Sequence, residues 1–279
     1  MAQERAQEGA TPIALTIAGS DSGGGAGIQA DLKSFSALGV YGASVITAIT
    51  AQNTRAVTGI QPVSADMVAA QIDAVFDDIA VDAVKIGMVG GPDVITTVAA
   101  RLRHHLAHRP SPVVVDPVMV AKSGDTLLPD DAIAAMTREL LPLATVLTPN
   151  LPEAAALLGR PVAQDETAMR TQGHALRALG PRFVLMKGGH GQGETCTDLL
   201  VGADEVTLTA PRVITKNTHG TGCSLSSAIA AGLARRLAVH DATRQAHAWL
   251  QAAIRAADGL RVGSGHGPVH HFHALWGQP

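Results

Sequence analysis

Short apolar runs alternate along the chain with longer stretches whose apolar residues recur every three or four positions. The runs at residues 14–19, 44–49, 83–86, 113–118, 145–147 and 183–186 have the length of buried strands. Between them, residues 67–75, 94–106, 132–141 and 168–179 read as amphipathic helices, and another helix is expected at 27–38. Strand and helix in alternation predict an α/β fold with a mainly parallel sheet wrapped by helices. Residues 195–201 and 205–209, separated by Gly202, Ala203 and Asp204, predict a hairpin late in the chain. A helix at 224–237 carries Leu225, Ile229, Leu233 and Leu237 on one stripe. No linker-like tract, repeat or low-complexity segment divides the sequence. The expectation is one domain over residues 11–279 behind a loose leader at 1–10.

Composition narrows the function classes. The 279 residues are 46% hydrophobic, ample for a buried core. A net charge of −3 with scattered Lys and Arg lacks the footprint of a nucleic-acid or anionic-membrane binder, and 3% aromatics leave few base-stacking platforms. The apolar run at 13–18 is too short to span a bilayer, and Glu4, Arg5 and Glu8 do not make a secretion signal. With two cysteines, Cys196 and Cys223, and no CxxC motif, a reduced cytoplasmic location is expected.

In such sheets ligands sit outside the carboxyl ends of the strands. The suggestive residues fall there: 19–27, Gln52 and Asn53, Gly87 and Met88, 116–119, 150–153 and 187–190. Gly25 to Ala30 matches the dinucleotide pattern GxGxxG/A, yet no acidic residue lies between Asp31 and Asp66 to hold a ribose. A plain turn or a glycine lid over a small substrate are the other readings. No Gly-Lys dipeptide occurs, which excludes a Walker A loop.

Phosphoryl transfer needs only an anion cradle, a magnesium site, a base and in-line positioning. The run NTHGTGC at 217–223 joins a glycine-rich loop to a helix start, where unpaired N–H groups and the helix dipole favour phosphate. Asp116 and Glu153 are hard oxygen donors at strand ends, and Lys187 is a mobile positive charge. Each also has an ordinary reading: Asp116 shaping a turn before Pro117, Glu153 favouring a helix start, Lys187 solvated. Cys223 is either a small buried hydrophobe, a base whose pKa the helix start should lower, or a nucleophile for acyl transfer. His266, His270, His271 and His273 read as a structural tail, and His104, His105 and His108 as a solvated helix face.

The ordered motifs AGSDSGGGAGIQADLK (18–33), VITAITAQNT (45–54), KIGM (85–88), DPVMVAKSGD (116–125), TPNLPEA (148–154), LMKGGH (185–190), TKNTHGTGC (215–223) and GPVHHFHALW (267–276) closely resemble the hydroxymethylpyrimidine/phosphomethylpyrimidine kinases of thiamine biosynthesis, within the ribokinase-like superfamily. The resemblance implies a three-layer α/β/α domain, commonly a homodimer. Such enzymes use ATP and Mg2+ to phosphorylate 4-amino-5-hydroxymethyl-2-methylpyrimidine to its monophosphate and then its diphosphate.

The same resemblance implies the roles. Cys223 stands where most ribokinase-like relatives carry a catalytic Asp, and as a thiolate would be the base. Gly220, Thr221 and Gly222 supply the anion hole. Gln52 hydrogen-bonds the aminopyrimidine edge, with Gly19, Ala26, Met88 and Val118 around the ring. Lys187, Asn150 and His219 serve ATP and its phosphates, and Asp116 and Glu153 hold the metal. The pair Ser22-Gly23 departs from the Pro-Ser of some members. Some members that also accept pyridoxal carry Met at the position of Gln52, which makes a pyridoxal kinase the alternative. A non-catalytic pyrimidine or nucleotide sensor is a third reading, which has no use for a metal, a phosphate clamp and a base together.

Overall fold

The computed structural model describes residues 10–119, 130–189 and 193–276. Leader residues 1–9, residues 120–125 of the DPVMVAKSGD run, and His190 lie outside the described residues. Among those described, the strands are β1 (Ile13–Asp21), β2 (Tyr41–Gln52), β3 (Val57–Pro62), β4 (Ala83–Ile86), β5 (Val113–Val115), β6 (Val146–Leu147), β7 (Phe183–Met186), β8 (Thr195–Val201) and β9 (Glu205–Pro211). The helices are α1 (Gly27–Ala37), α2 (Ala65–Asp78), α3 (Pro92–His108), α4 (Asp130–Ala135), α5 (Leu151–Leu158), α6 (Glu166–Arg177), α7 (Thr221–Ala234) and α8 (Val239–Arg255). One sheet runs in the order β3-β2-β1-β4-β5-β6-β7-β8-β9. Neighbours from β2 through β7 pair parallel, and β3, β8 and β9 add antiparallel edges.

The central strands read as continuous apolar runs because both sheet faces are covered. Side chains alternate between the faces with the two-residue period of a strand. Leu15, Ile17, Val84, Ile86, Val113 and Val115 pack with Val68 and Ile72 of α2, Ile95, Val98 and Leu102 of α3, Leu157 of α5 and Leu176 of α6. Ala14, Ala83, Val114, Val146 and Leu185 face the other way, against Phe35 of α1, Leu225 and Ile229 of α7, and Ala246 and Leu250 of α8. The result is the three-layer α/β/α fold.

Several boundaries differ from the sequence expectation. β5 stops at Val115 because Pro117 has no N–H to continue the ladder, and Val118 N turns back to donate to Asp116 O at 2.8 Å. The expected helix at 132–141 begins as α4 and passes into a π turn over Met136–Leu140 and a 3-10 turn over Leu141–Leu143. α7 starts three residues before 224 because Gly220, with φ 79°, already turns the chain into the helix, and Arg236, with φ 65°, turns it out before Leu237. β3, α5 and α8 have no counterpart in the periodicity reading. His105 departs from the solvated histidine face: its ring stacks on Phe76 at 4.8 Å and pairs with Asp73 at 2.8 Å.

Candidate active site

The parallel strands end on one side of the sheet, and the first turn of α7 lies across those ends. No side chain caps that turn. Gly220 is required there twice over: its φ is positive, and a Cβ would run into the Gly25 carbonyl. A Cβ on Gly222 would stand 3.3 Å from Lys187 Nζ and 3.5 Å from Asp116 Oδ2, so the helix start abuts the ends of β5 and β7. Unpaired helix N–H groups therefore sit beside a fixed cluster of charges.

Asp116 is almost fully buried and accepts hydrogen bonds from Lys187 Nζ at 2.9 Å, Thr148 Oγ1 at 3.1 Å and Ser226 Oγ at 3.4 Å. Glu153 Oε2 lies 3.9 Å from the same ammonium. It also closes a capping box on α5: Asn150 Oδ1 accepts from Glu153 N at 2.8 Å, and Glu153 Oε2 accepts from Asn150 N at 2.7 Å. Thus the side chain of Asn150 has a structural partner at the helix start. Burial, with Asp116 adding repulsion, pushes the Glu153 carboxyl up to about 7 despite the opposing charge of Lys187. Burial alone would lower Lys187, but Asp116 and Glu153 outweigh it and hold the ammonium raised. The donor set fits Mg2+, which takes one or two carboxylates and fills its remaining positions with water and phosphate oxygens. Among the described residues, no group of three or more His, Cys, Asp or Glu makes an all-protein cage.

Cys223 occupies the same turn, half-buried. Burial pushes its thiol up to about 11; Lys85 and the Gly27 N–H oppose this, while Asp31 and Asp116 add to it. The expectation that the helix start lowers this pKa does not hold: burial, with Asp31 and Asp116 adding to it, keeps the thiol raised. Behind the thiol lies a buried polar network that the sequence reading did not single out. Lys85 Nζ reaches both Asp31 oxygens at 2.9 Å, and both side chains are fully buried. Asp31 also accepts from Thr16 Oγ1 and Ser227 Oγ, each at 2.6 Å. Ser227 is one turn after Cys223 on the same face of α7. A legible signal existed: Lys85 is the one charged residue in the apolar strand AVKI.

On the acceptor side, Gln52 ends β2, its backbone N and O tied to Ser22 Oγ at 2.8 Å each. Asp21, also missed, organises the glycine loop by accepting from the N–H groups of Gly23, Gly25 and Ala26 at 2.8, 3.0 and 2.8 Å. It accepts from His219 Nε2 at 2.8 Å as well. Burial would raise this carboxyl, but His219 and those N–H groups hold it low. His219 therefore turns its ring toward Asp21 and Gln52. Together with Asn53, Thr54, Arg55 and His266, Gln52 and His219 line a small cleft. Gly19 N donates to Met88 O at 3.0 Å, which brings those two expected ring contacts together. Ala26 is fixed by Asp21, and Val118 follows β5 beside Asp116.

Known proteins are similar to this chain along nearly its whole length. A family model described as phosphomethylpyrimidine kinase matches residues 21–270. A hydroxymethylpyrimidine/phosphomethylpyrimidine kinase of Rhizobium meliloti (strain 1021) is 60% identical over 267 residues, 95% of this chain and 99% of the relative. The enzyme of that name from Escherichia coli (strain K12) is 53% identical over 264 residues, covering 94% and 98%. Among solved structures, an ADP complex of Bacillus subtilis pyridoxal kinase superposes with a TM-score of 0.87 at 36% identity, covering 96% of this chain and 100% of that one. Matched motifs, fold and coverage agree, and the chain belongs to the phosphomethylpyrimidine kinase family.

Proposed function

We propose that the chain transfers the γ-phosphoryl group of ATP to the hydroxymethyl oxygen of 4-amino-5-hydroxymethyl-2-methylpyrimidine, and then a second phosphoryl group to the resulting monophosphate. The observation that carries this reading is the meeting of the uncapped α7 start, the Asp116–Lys187–Glu153 cluster and Cys223 at one set of strand ends. The α7 N–H groups and Lys187 bind and orient the phosphates. Asp116 and Glu153 would hold Mg2+, which neutralises phosphate charge when bound. In each transfer the acceptor oxygen forms a bond to the γ-phosphorus while the bond to the ADP oxygen breaks. In the first, the hydroxyl proton passes to Cys223 Sγ, which has to be ionised to take it. Lys85 is the fixed cation that favours the ionised form. A loose phosphoryl-transfer transition state asks little of the base early on, so a small thiolate fraction suffices.

The acceptor reading rests on Gln52, whose amide offers a donor and an acceptor to an aminopyrimidine. A pyridoxal kinase is the second reading, favoured by the superposition on the Bacillus subtilis enzyme. Comparing kcat/KM for the two acceptors with MgATP decides: a larger value for the pyrimidine supports the first, and a larger value for pyridoxal overturns it. We also propose a homodimer, as the family resemblance implies; Ile49 and Ile60 are large apolar residues exposed on opposite faces of the β2–β3 edge. Sedimentation velocity showing only a monomer at micromolar concentration contradicts this.

A further inference from the structure

His219 lies where the phosphate loop meets the acceptor cleft, and its hydrogen bonds constrain a neighbour. Gln52 Oε1 lies 3.2 Å from Thr50 Oγ1, and Gln52 Nε2 lies 3.4 Å from His219 Nε2. Thr50 has one hydroxyl proton, which the Ser20 carbonyl takes at 2.7 Å. Toward Gln52 the hydroxyl can therefore only accept. The Asp21 carboxylate, already holding three N–H groups, accepts from His219 Nε2 at 2.8 Å, so the proton is on Nε2. Toward Gln52 that nitrogen has no lone pair, and presents only the side of an N–H that it shares with Asp21. An amide nitrogen facing His219 would set two donors against each other. Turning the amide end for end places its NH2 on Thr50 and its carbonyl against the shared His219 N–H, and removes both conflicts.

We infer that His219, held by Asp21, is a positioning residue that fixes the orientation of the Gln52 amide and so sets selectivity for acceptors carrying an amino group beside a ring nitrogen. In the fixed orientation one N–H and one carbonyl lone pair remain for the ligand. An aminopyrimidine edge supplies the matching ring nitrogen and exocyclic NH2. A pyridoxal ring has no exocyclic amino group beside its nitrogen. Without that hold the ligand itself must order the amide, at the cost of about one hydrogen bond, and the aminopyrimidine alone would suffer.

The inference rests on the proposed acceptor, so its test includes binding without turnover. His219→Leu removes the donor, and His219→Gln keeps a side-chain N–H. The expected result for His219→Leu is a fall of at least about tenfold in the pyrimidine-to-pyridoxal ratio of kcat/KM, carried by the pyrimidine KM. The KM for ATP stays within about twofold, and His219→Gln recovers part of the ratio. In a Gln52→Met background, His219→Leu leaves the ratio where it is. Calorimetric titration of the pyrimidine alone should weaken in parallel. An unchanged ratio, or a loss confined to the KM for ATP, overturns the inference. Weakened binding in a protein that phosphorylates neither acceptor upholds it while removing the proposed activity.

Discussion

Cys223 is placed under opposing influences, and its behaviour follows from their balance. Burial and two carboxylates hold the thiol neutral in the ligand-free protein, whereas Lys85 favours the thiolate. Replacing Cys223 by Ala should lower kcat by about a hundredfold, the lower end for general base catalysis, with little change in either KM. An unchanged kcat removes the thiol from the mechanism. Cys223→Asp installs a base of lower intrinsic pKa, so it should retain more activity than Ala and keep it to lower pH, as a kcat–pH profile shows. Gln52→Met should shift the kcat/KM ratio toward pyridoxal, because the donor and acceptor of the amide are lost together. The side-chain types were legible in the sequence. Their pKa values were not, because the groups that set them arrive from other elements: Asp31 from α1, Lys85 from β4 and Asp116 from the end of β5.

At the scale of elements, legibility followed hydrophobic contrast. β1, β4 and β7 were visible because strands covered on both faces are apolar throughout. β3 was not, since Val57–Pro62 is almost wholly exposed and carries Gly59 and Pro62. α8 was hidden by a buried stripe made largely of alanine, Ala242, Ala246 and Ala253 around Leu250, which differs little from its surroundings. The α1–β4–α7 contact depends on the Lys85–Asp31 pair. Lys85→Met leaves a buried carboxylate unpaired and should cost about 3–5 kcal/mol in chemical denaturation. Replacing both residues by apolar ones should cost less than the sum of the single changes.

The tail docks on α7 through His271, which is buried and lies 2.9 Å from Ser224 Oγ. Burial first, then the positive neighbours Lys33, His270 and His273, push this imidazole down to about 3 from an ordinary 6.5. Below pH 6.5 the unfolded chain binds a proton that the folded chain does not. Stability therefore falls with decreasing pH across the window from 6.5 to about 3, by about 1.4 kcal/mol per unit at most. His271→Gln should lose that component, making its acid unfolding less steep than that of the natural chain. Parallel curves for the two proteins contradict the assignment.

For the whole molecule, the sheet is what turns scattered motifs into one site. Parallel strands share a direction, so residues following β1, β2, β4, β5 and β7 gather at one edge whatever their separation in sequence. That gathering was legible from the alternation of elements alone. The division of labour within it was less so: His219, expected beside the phosphates, turns its ring to Asp21 and Gln52. Among the described residues no helix is long and apolar enough to cross a membrane. The proposed activity is two successive phosphoryl transfers to a pyrimidine at one set of strand ends. Time-resolved mass spectrometry of the purified protein with MgATP and 4-amino-5-hydroxymethyl-2-methylpyrimidine follows both transfers in one reaction. The monophosphate should form first and the diphosphate after it, and both should be lost together when Lys187 is changed to Ala. Absence of both products at high protein concentration, with ATP bound, would contradict it.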